Sequence, residues 1–285
     1  MRTALEALLA ILLFAGIPAV VKSIAANPYT IGIFRLLVAT AVLSAVMSVR
    51  GEMRRVPARD ALRLAIIGAL FFGHWITLFF AVKASSASIG AIGLSTYGVD
   101  LLILGAIFGG DRARLTDVVA VVLAAAGAIL VVPAFTLGNT VAFGMLLSCA
   151  SALMYAALPI LHQRWVHIPT RMRTLGQFGF ALLFFLLFVS RSEWTLSSRD
   201  WAGLLFLAVG VTLIGHSLWV RVTTRLPSSA TSIIYYGNIP IAIALSVLLL
   251  HEPLTVRTLS GAAMIIGGSL IGLAARAKTE RKVGN

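Results

Sequence analysis

Cysteine and acidic residues are scarce in this chain. One cysteine, Cys149, stands among 285 residues, so neither an internal disulfide nor a cysteine-built metal site is available, and the thiol reads as packing in an apolar run. Charged residues make up 12% of the total, about half of the roughly 25% that a soluble domain carries. Common catalytic and nucleotide-binding patterns are missing as well. There is no Gly-x-x-x-x-Gly-Lys-Ser/Thr loop, no His-Glu-x-x-His and no Gly-x-Ser-x-Gly. The sequence therefore gives no support for ATP drive by this chain, a zinc-protease site or a serine nucleophile elbow.

What is present is hydrophobic: 59% of residues are apolar and the mean hydropathy is +0.98. Apolar runs near 20 residues recur at about 4–24, 30–49, 61–82, 87–108, 115–132, 141–164, 171–190, 202–220, 228–250 and 256–275. Each is roughly what a ~30 Å hydrocarbon core requires. The pattern predicts an all-α membrane protein with ten transmembrane helices and no separate soluble domain. The first run is long and lacks a small-x-small cleavage site, so it is expected to be a span rather than a cleaved signal peptide.

A net charge of +13 and a pI near 11.2 raise the question of nucleic acid, but the positions of the cations answer against it. If ten spans are threaded, 17 of the 23 basic residues fall on one side, among them Arg50, Arg54, Arg55, Arg171, Arg221 and Arg225. Only Lys22, Lys83, Arg191, Arg199 and Arg257 fall on the other, and Arg35 lies within span two. That asymmetry is the positive-inside pattern, which predicts a bacterial-type inner membrane protein with both termini cytoplasmic. The basic excess then serves topology and anionic lipid, and no nucleic-acid partner is expected.

The chain also repeats itself. Gly73-His74 matches Gly215-His216, Lys83 matches Arg225 and Ser86 matches Ser228, each 142 positions on. Pro18 with Pro159, Lys22 with Gln163, Pro28 with Pro169, Gly110-Asp111 with His251-Glu252 and Gly127 with Gly268 share an offset of 141, and Gly98 falls opposite Pro240. Five spans per copy is an odd number, so the second copy enters the bilayer upside down. The expected fold is two inverted-topology five-helix repeats, 1–138 and 139–285, with a site near the midplane where they meet.

The same residues resemble the drug/metabolite transporter superfamily, in its ten-span form with paired EamA domains. Similar features are Lys22 closing span one, Pro28…Phe34-Arg35 entering span two, and Gly144…Ser151-Ala152-Leu153-Met154-Tyr155-Ala156 opening the second copy. So are the Ser-Ser-Ala entries to spans four and nine, Pro240 in span nine, and His251-Glu252-Pro253 before span ten. Span one lacks the aromatic-Gly-small motif usual in its middle, and span four has Tyr97-Gly98-Val99-Asp100 where a proline is common. The resemblance implies an exporter of small amphipathic metabolites, amino acids above all, of a kind that includes aromatic amino acid exporters.

Several polar groups inside apolar runs are candidates for a central cavity. Asp100 lies about 13 residues into its run, where a carboxylate costs on the order of 2.5–3.5 kcal/mol. Helical spacing places it with Ser86, Gly90, Gly93 and Tyr97, facing a substrate ammonium, a proton or a partner helix. His74 and His216 occupy equivalent places in the two copies, and imidazole can switch charge near neutral pH; either can equally hold helices together. Thr77 shares a face with His74, with Trp75 beside it, and Thr212, His216, Trp219 and Thr223 share a face of span eight. Tyr235-Tyr236-Gly237-Asn238-Ile239-Pro240 interrupts span nine, since proline removes a helical hydrogen bond; Gly98 and Pro240 are the candidate hinges. Tyr155 is the expected cavity member of span six. Trp165, Trp194, Trp201 and Tyr29 read as interfacial belt residues, and Trp219 fits either belt or cavity. For Arg35, near the outer end of span two, snorkelling or a carbonyl contact is at least as good an explanation as substrate binding. Gly268 and Gly272, like Gly105 and Gly109, allow close helix contact within a monomer or weakly between monomers.

These readings predict a secondary transporter that exports small amphipathic metabolites, most of all aromatic or bulky apolar amino acids, by alternating access. The expectation includes no cofactor and no metal; the partners are the small-molecule substrate and the bilayer, with proton exchange and downhill facilitation both open. A lipid or headgroup flippase of the same fold is the alternative. An intramembrane enzyme is further off, because no second intramembrane acid accompanies Asp100.

Overall fold

The computed structural model describes residues 2–108, 115–131, 139–226 and 234–283. Every regular element among them is helical. In chain order they are α1 (Arg2–Ala15), α2 (Ile17–Ser23), α3 (Pro28–Val49), α4 (Ala58–Ala84), α5 (Ala87–Leu94), α6 (Tyr97–Phe108), α7 (Leu115–Val131), α8 (Thr140–Arg164) and α9 (Thr170–Leu186). They continue with α10 (Ser198–Leu205), a π-helical stretch (Phe206–His216), α11 (Ser217–Arg225), α12 (Asn238–Leu250) and α13 (Val256–Val283). The expected boundary at 138/139, together with Gly109, Gly110, Asp111, Arg112, Arg114 and Ser228, touches or lies in stretches outside the described residues.

Thr3–Ser23, Pro28–Val49, Ala58–Ala84, Thr140–Arg164 and Ser198–Arg225 are each long and apolar enough to cross a bilayer, and Leu115–Val131, Asn238–Leu250 and Val256–Gly272 are shorter apolar helices. Large apolar side chains such as Leu12, Val122, Leu146 and Leu183 are at least half exposed on their outer faces, as helices facing lipid require. The chain passes up and down through one bundle. One end holds the 24–27, 85–86, 192–197 and 251–255 turns (the far end), and the other holds 50–57, 165–169 and Leu226 (the near end). The first and second five-helix repeats start at opposite ends, so their topologies are inverted.

Helix starts are written locally. Asn27 caps α3 by accepting from Thr30 N at 3.0 Å, with Pro28 at the first helical position where no N–H is needed. Asn139 caps α8, and Ser197 with Asp200 forms a capping box on α10. His251 ends α12 in the left-handed conformation, φ 54°, a region in which histidine is among the enriched non-glycine residues. That turn sends Glu252 back to α5, where its carboxylate accepts from Ala87 N at 2.7 Å and Ser88 N at 2.9 Å. A negative group on those orphan N–H groups suits the helix dipole.

Two expected spans are broken at equivalent places. Ser95-Thr96 separates α5 from α6, and Tyr236-Gly237 precedes α12, 141 positions on. Pro240 sits in the first turn of α12 rather than in the middle of a kinked helix, where its missing N–H costs little. The breaks touch: the Tyr236 hydroxyl accepts from Gly98 N at 2.9 Å and donates to Ser95 O at 2.8 Å. Any side chain at Gly98 would run into the Tyr236 ring. The tyrosine of one repeat thus supplies the bonds that the broken helix of the other has lost.

Elsewhere glycine sets the distance between helices. Gly261 and Gly268 of α13 lie on α7, against Gly127 and Val131 and against Ala120 and Leu123. The Gly268 face is therefore used inside the monomer. Gly261→Ala is expected to cost about 1–3 kcal/mol through the contact its methyl would make with Gly127 O and Val131, read as a lower unfolding temperature of the purified protein in detergent. Gly267, with nothing near its Cβ position, is the control, and Gly267→Ala should leave that temperature unchanged or higher.

Candidate functional site

A closed cluster of rings fills the junction between the repeats. From α4 come Phe71, His74 and Trp75, from α8 Tyr155, from span eight His216 and Trp219, and from the two broken spans Tyr97 and Tyr235. The His74 and Tyr155 rings stack at 4.3 Å and 18°. Tyr97 lies 5.4 Å from Tyr155 and 4.7 Å from Tyr235, and Trp219 lies 5.7 Å from Tyr235. His216 is ringed by Phe14 at 4.6 Å, Phe71 at 5.0 Å and Trp75 at 5.6 Å. Offset and edge-on pairs of this kind are the arrangements aromatic quadrupoles favour.

The two histidines are not used alike. The Ser151 hydroxyl donates to His74 O at 2.8 Å, and His74 Nδ1 lies 2.7 Å from the same oxygen. A hydroxyl has one proton to give, so Nδ1 carries a hydrogen and donates to Ser151 Oγ. His74 is thereby fixed to α8 across the repeat boundary. His216 Nε2 and Trp219 Nε1 are buried and meet no hydrogen-bond partner among the described residues.

Arg35 corrects the expectation that it snorkels. Its side chain is fully buried, at 0% exposure. Its guanidinium carbon lies 3.9 Å from the centre of the Trp75 ring, and Nε donates to Thr212 Oγ1 at 2.9 Å. Thr212 donates in turn to Leu207 O at 2.8 Å inside the π-helical stretch, a widened turn of the type often found at functional sites. Trp219, 3% exposed, belongs to the cluster and not to an interfacial belt.

Asp100 stands apart from this cluster. Expected to share a polar face with Ser86, Gly90, Gly93 and Tyr97, it follows the Ser95-Thr96 break, and its carboxylate accepts from Thr96 Oγ1 at 3.1 Å. Tyr97 points into the ring cluster, whereas Tyr236 packs with Val99 and Ile239 in a second core. Thr77 donates back to Gly73 O at 2.7 Å, and the Asn238 amide donates to Tyr235 O at 2.9 Å. Both thus serve their own backbone. The sequence placed Ser151 in a family-like motif and His162 on the face of span six that carries Tyr155, but it pointed to neither the Ser151–His74 contact nor Gln177, which lies 2.7 Å from His162 with both buried; Arg173, counted only for topology, is buried with its guanidinium on His162 O and Ile168 O.

The cluster is closed at both ends by equivalent residues. At the far end Lys22 Nζ donates to Lys83 O at 3.1 Å and Ser85 O at 2.7 Å, Lys83 Nζ meets Ile24 O, and Asp200 accepts from Ala25 N at 2.7 Å. At the near end Gln163, the repeat mate of Lys22, donates to Thr223 O at 2.9 Å and Leu226 O at 3.1 Å. The crevice between Tyr155, His216 and Trp219 holds only about 10 Å³, the size of one water at most. Beyond Gln163 a vestibule of about 500 Å³ opens among Met47, Glu52, Arg54, Arg171, Arg221 and Arg225.

The EamA-like transporter family model matches residues 1–132 and 142–273. No curated protein matches the sequence. A solved structure, titled only as the crystal structure of a protein, is 19% identical and superposes over 96% of this chain and 97% of its own with a TM-score of 0.70; that likeness speaks for the fold alone.

Two outcomes test the geometry. Tyr236→Phe leaves the buried Gly98 N–H and Ser95 O without their partner and should cost about 1–3 kcal/mol of stability, measured as a fall in unfolding temperature. In a Cys149→Ala background, Ala26→Cys, buried at the far end, should react slowly with a membrane-impermeant maleimide. Lys22→Ala should speed that reaction at least fivefold, and Lys22→Gln, which copies Gln163, should leave it near the starting rate.

Proposed function

The chain belongs to the EamA-like transporter family, and is accordingly a membrane transporter of small molecules; from that premise we propose that it exports amphipathic metabolites by alternating access. Aromatic or bulky apolar amino acids are the substrates that suit the cluster best. The observation that carries this reading is the ring-lined junction of the two repeats, shut at one end by Lys22 and at the other by Gln163. Groups of both repeats meet in this packed cluster, so a rocking of one repeat against the other would open a space among them to each side in turn. Ring faces of Trp75, Tyr155 and Tyr235 offer stacking to an apolar body.

Orientation follows from the cations: with the Arg-rich near end in the cytoplasm, both termini are cytoplasmic and the vestibule is the entry port. The protein then works as a monomer or weak dimer in a bacterial-type inner membrane. Asp100, half-buried beside Thr96, is the candidate for proton coupling, apart from the ring cluster.

Reconstitution into proteoliposomes with a panel of labelled phenylalanine, tryptophan, leucine and glutamate, run with and without a pH gradient, tests the reading. Saturable counterflow of the apolar members is expected, and Trp75→Ala or Tyr155→Ala should lower it at least tenfold. Flux equal to empty liposomes for the whole panel would overturn the substrate class, and flux unchanged in both variants would remove the ring cluster from the path.

A further inference from the structure

An arginine sealed among rings, without a carboxylate, is a costly thing for a membrane protein to keep. Placing such a charge in hydrocarbon is unfavourable, and buried charges are retained where they are paired or used. Arg35 is fully buried, and its guanidinium carbon lies over the Trp75 ring at 3.9 Å, with Phe79 also near, at 5.4 Å. Of its donors only Nε is engaged, by Thr212 Oγ1. Both terminal nitrogens meet no hydrogen-bond partner among the described residues. Stacking on an indole and one hydrogen bond on Nε hold the planar fork in one orientation and leave four N–H groups on two nitrogens for a bidentate acceptor. A carboxylate has that geometry.

The approach to Arg35 carries the same charge preference. The near-end vestibule sets Arg54, Arg171, Arg221 and Arg225 against Glu52, with Glu6 pairing to Arg221 at 3.7 Å and to Arg225 at 3.2 Å. Four arginines against two glutamates leave an excess of positive charge, which raises the local concentration of anions at a cleft mouth. From the vestibule a groove of about 240 Å³ runs along α3 past Val46 and Val42 to Leu213. Leu213 adjoins Thr212, and Arg35 lies two helical turns, about 10 Å, further along α3.

We propose that Arg35 is the anion-recognising group of the chamber, so that the substrates are organic carboxylates with an aromatic or bulky apolar body, and that an amine on them is dispensable. The proposal rests on the transporter reading above and narrows its substrate class. Asp100, the acid the sequence offered for an ammonium, accepts from Thr96 Oγ1, whereas Arg35 meets Thr212, Trp75 and Phe79. Trp75 has a double task here: it orients the guanidinium and supplies a wall for the apolar body.

Three probes that share a ring and differ in charge separate the possibilities: 3-phenylpropionate, L-phenylalanine and phenethylamine, titrated calorimetrically into the full chain in nanodiscs. The carboxylate-bearing pair should bind, and phenethylamine should bind at least tenfold more weakly. Arg35→Gln should weaken both carboxylates at least tenfold and leave phenethylamine unchanged. Arg35→Lys, which keeps the charge without the fork, should weaken them about fivefold and serves if the glutamine variant does not fold. Phenethylamine binding as tightly as 3-phenylpropionate, no binding of either carboxylate, or carboxylate affinity unchanged in the folded variants would overturn the proposal. Flux of an amine in proteoliposomes alongside such a result would leave the transporter reading standing; absence of any flux would remove that reading too.

Discussion

Inside a hydrocarbon layer a polar group has no water to fall back on, and every donor or acceptor must find its partner in protein. Most of this structure follows from how that demand is met where the two repeats touch. Tyr236 restores the bonds that α5 and α6 lose at their break, and Glu252 takes the N–H groups at the start of α5. Ser151 and His74 satisfy each other between α4 and α8. Each of these contacts crosses from one repeat to the other, so the interface is specified by polar bonds set in an apolar filling. That combination fixes which residues face each other more tightly than shape alone would.

The same demand separates structural polar groups from the others. His162, Gln177 and Arg173 are buried and bonded to one another or to backbone carbonyls. Arg35, His216 and Trp219 are equally buried, yet each keeps a donor or ring nitrogen with no partner among the described residues. They come together around one set of rings, between two locks, below a vestibule rich in arginine. On the proposal above, a space opened among them would discriminate by charge and by ring face at once, two criteria that an apolar slot cannot combine.

Much of the fold was legible in the sequence because it depends on run length and on period. Ten apolar runs and an offset of 141 or 142 were enough for an inverted pair of five-helix units, and the match to the EamA-like family over both halves agrees. Residue placement was less legible, for identifiable reasons. Arg35 lies seven positions after Pro28, close enough to a span end to read as a rim residue; only the position of Trp75 beside it shows that the arginine turns inward. Asp100 was phased with Ser86, Gly90 and Gly93 along one uninterrupted helix, but Ser95 and Thr96 break that helix between them, and neither residue signals it. The π-helical stretch from Phe206 to His216 has no signature in its composition either. Glycine and proline did mark the counterpart break before α12, although Pro240 begins a helix there instead of bending one.

The two closures are built on one plan, and the equivalent residues at their centres differ in charge. A primary ammonium, Lys22, ties the far end, and a neutral amide, Gln163, ties the near end. Moving one elementary charge through a membrane potential involves about 2.3 kcal/mol per 100 mV, and an amide carries no such charge to move. In the alternating-access cycle proposed above, a field across the bilayer would act on a Lys22 ammonium that moves as the far end opens and not on the Gln163 amide, so the near-symmetric halves would differ in their response to voltage.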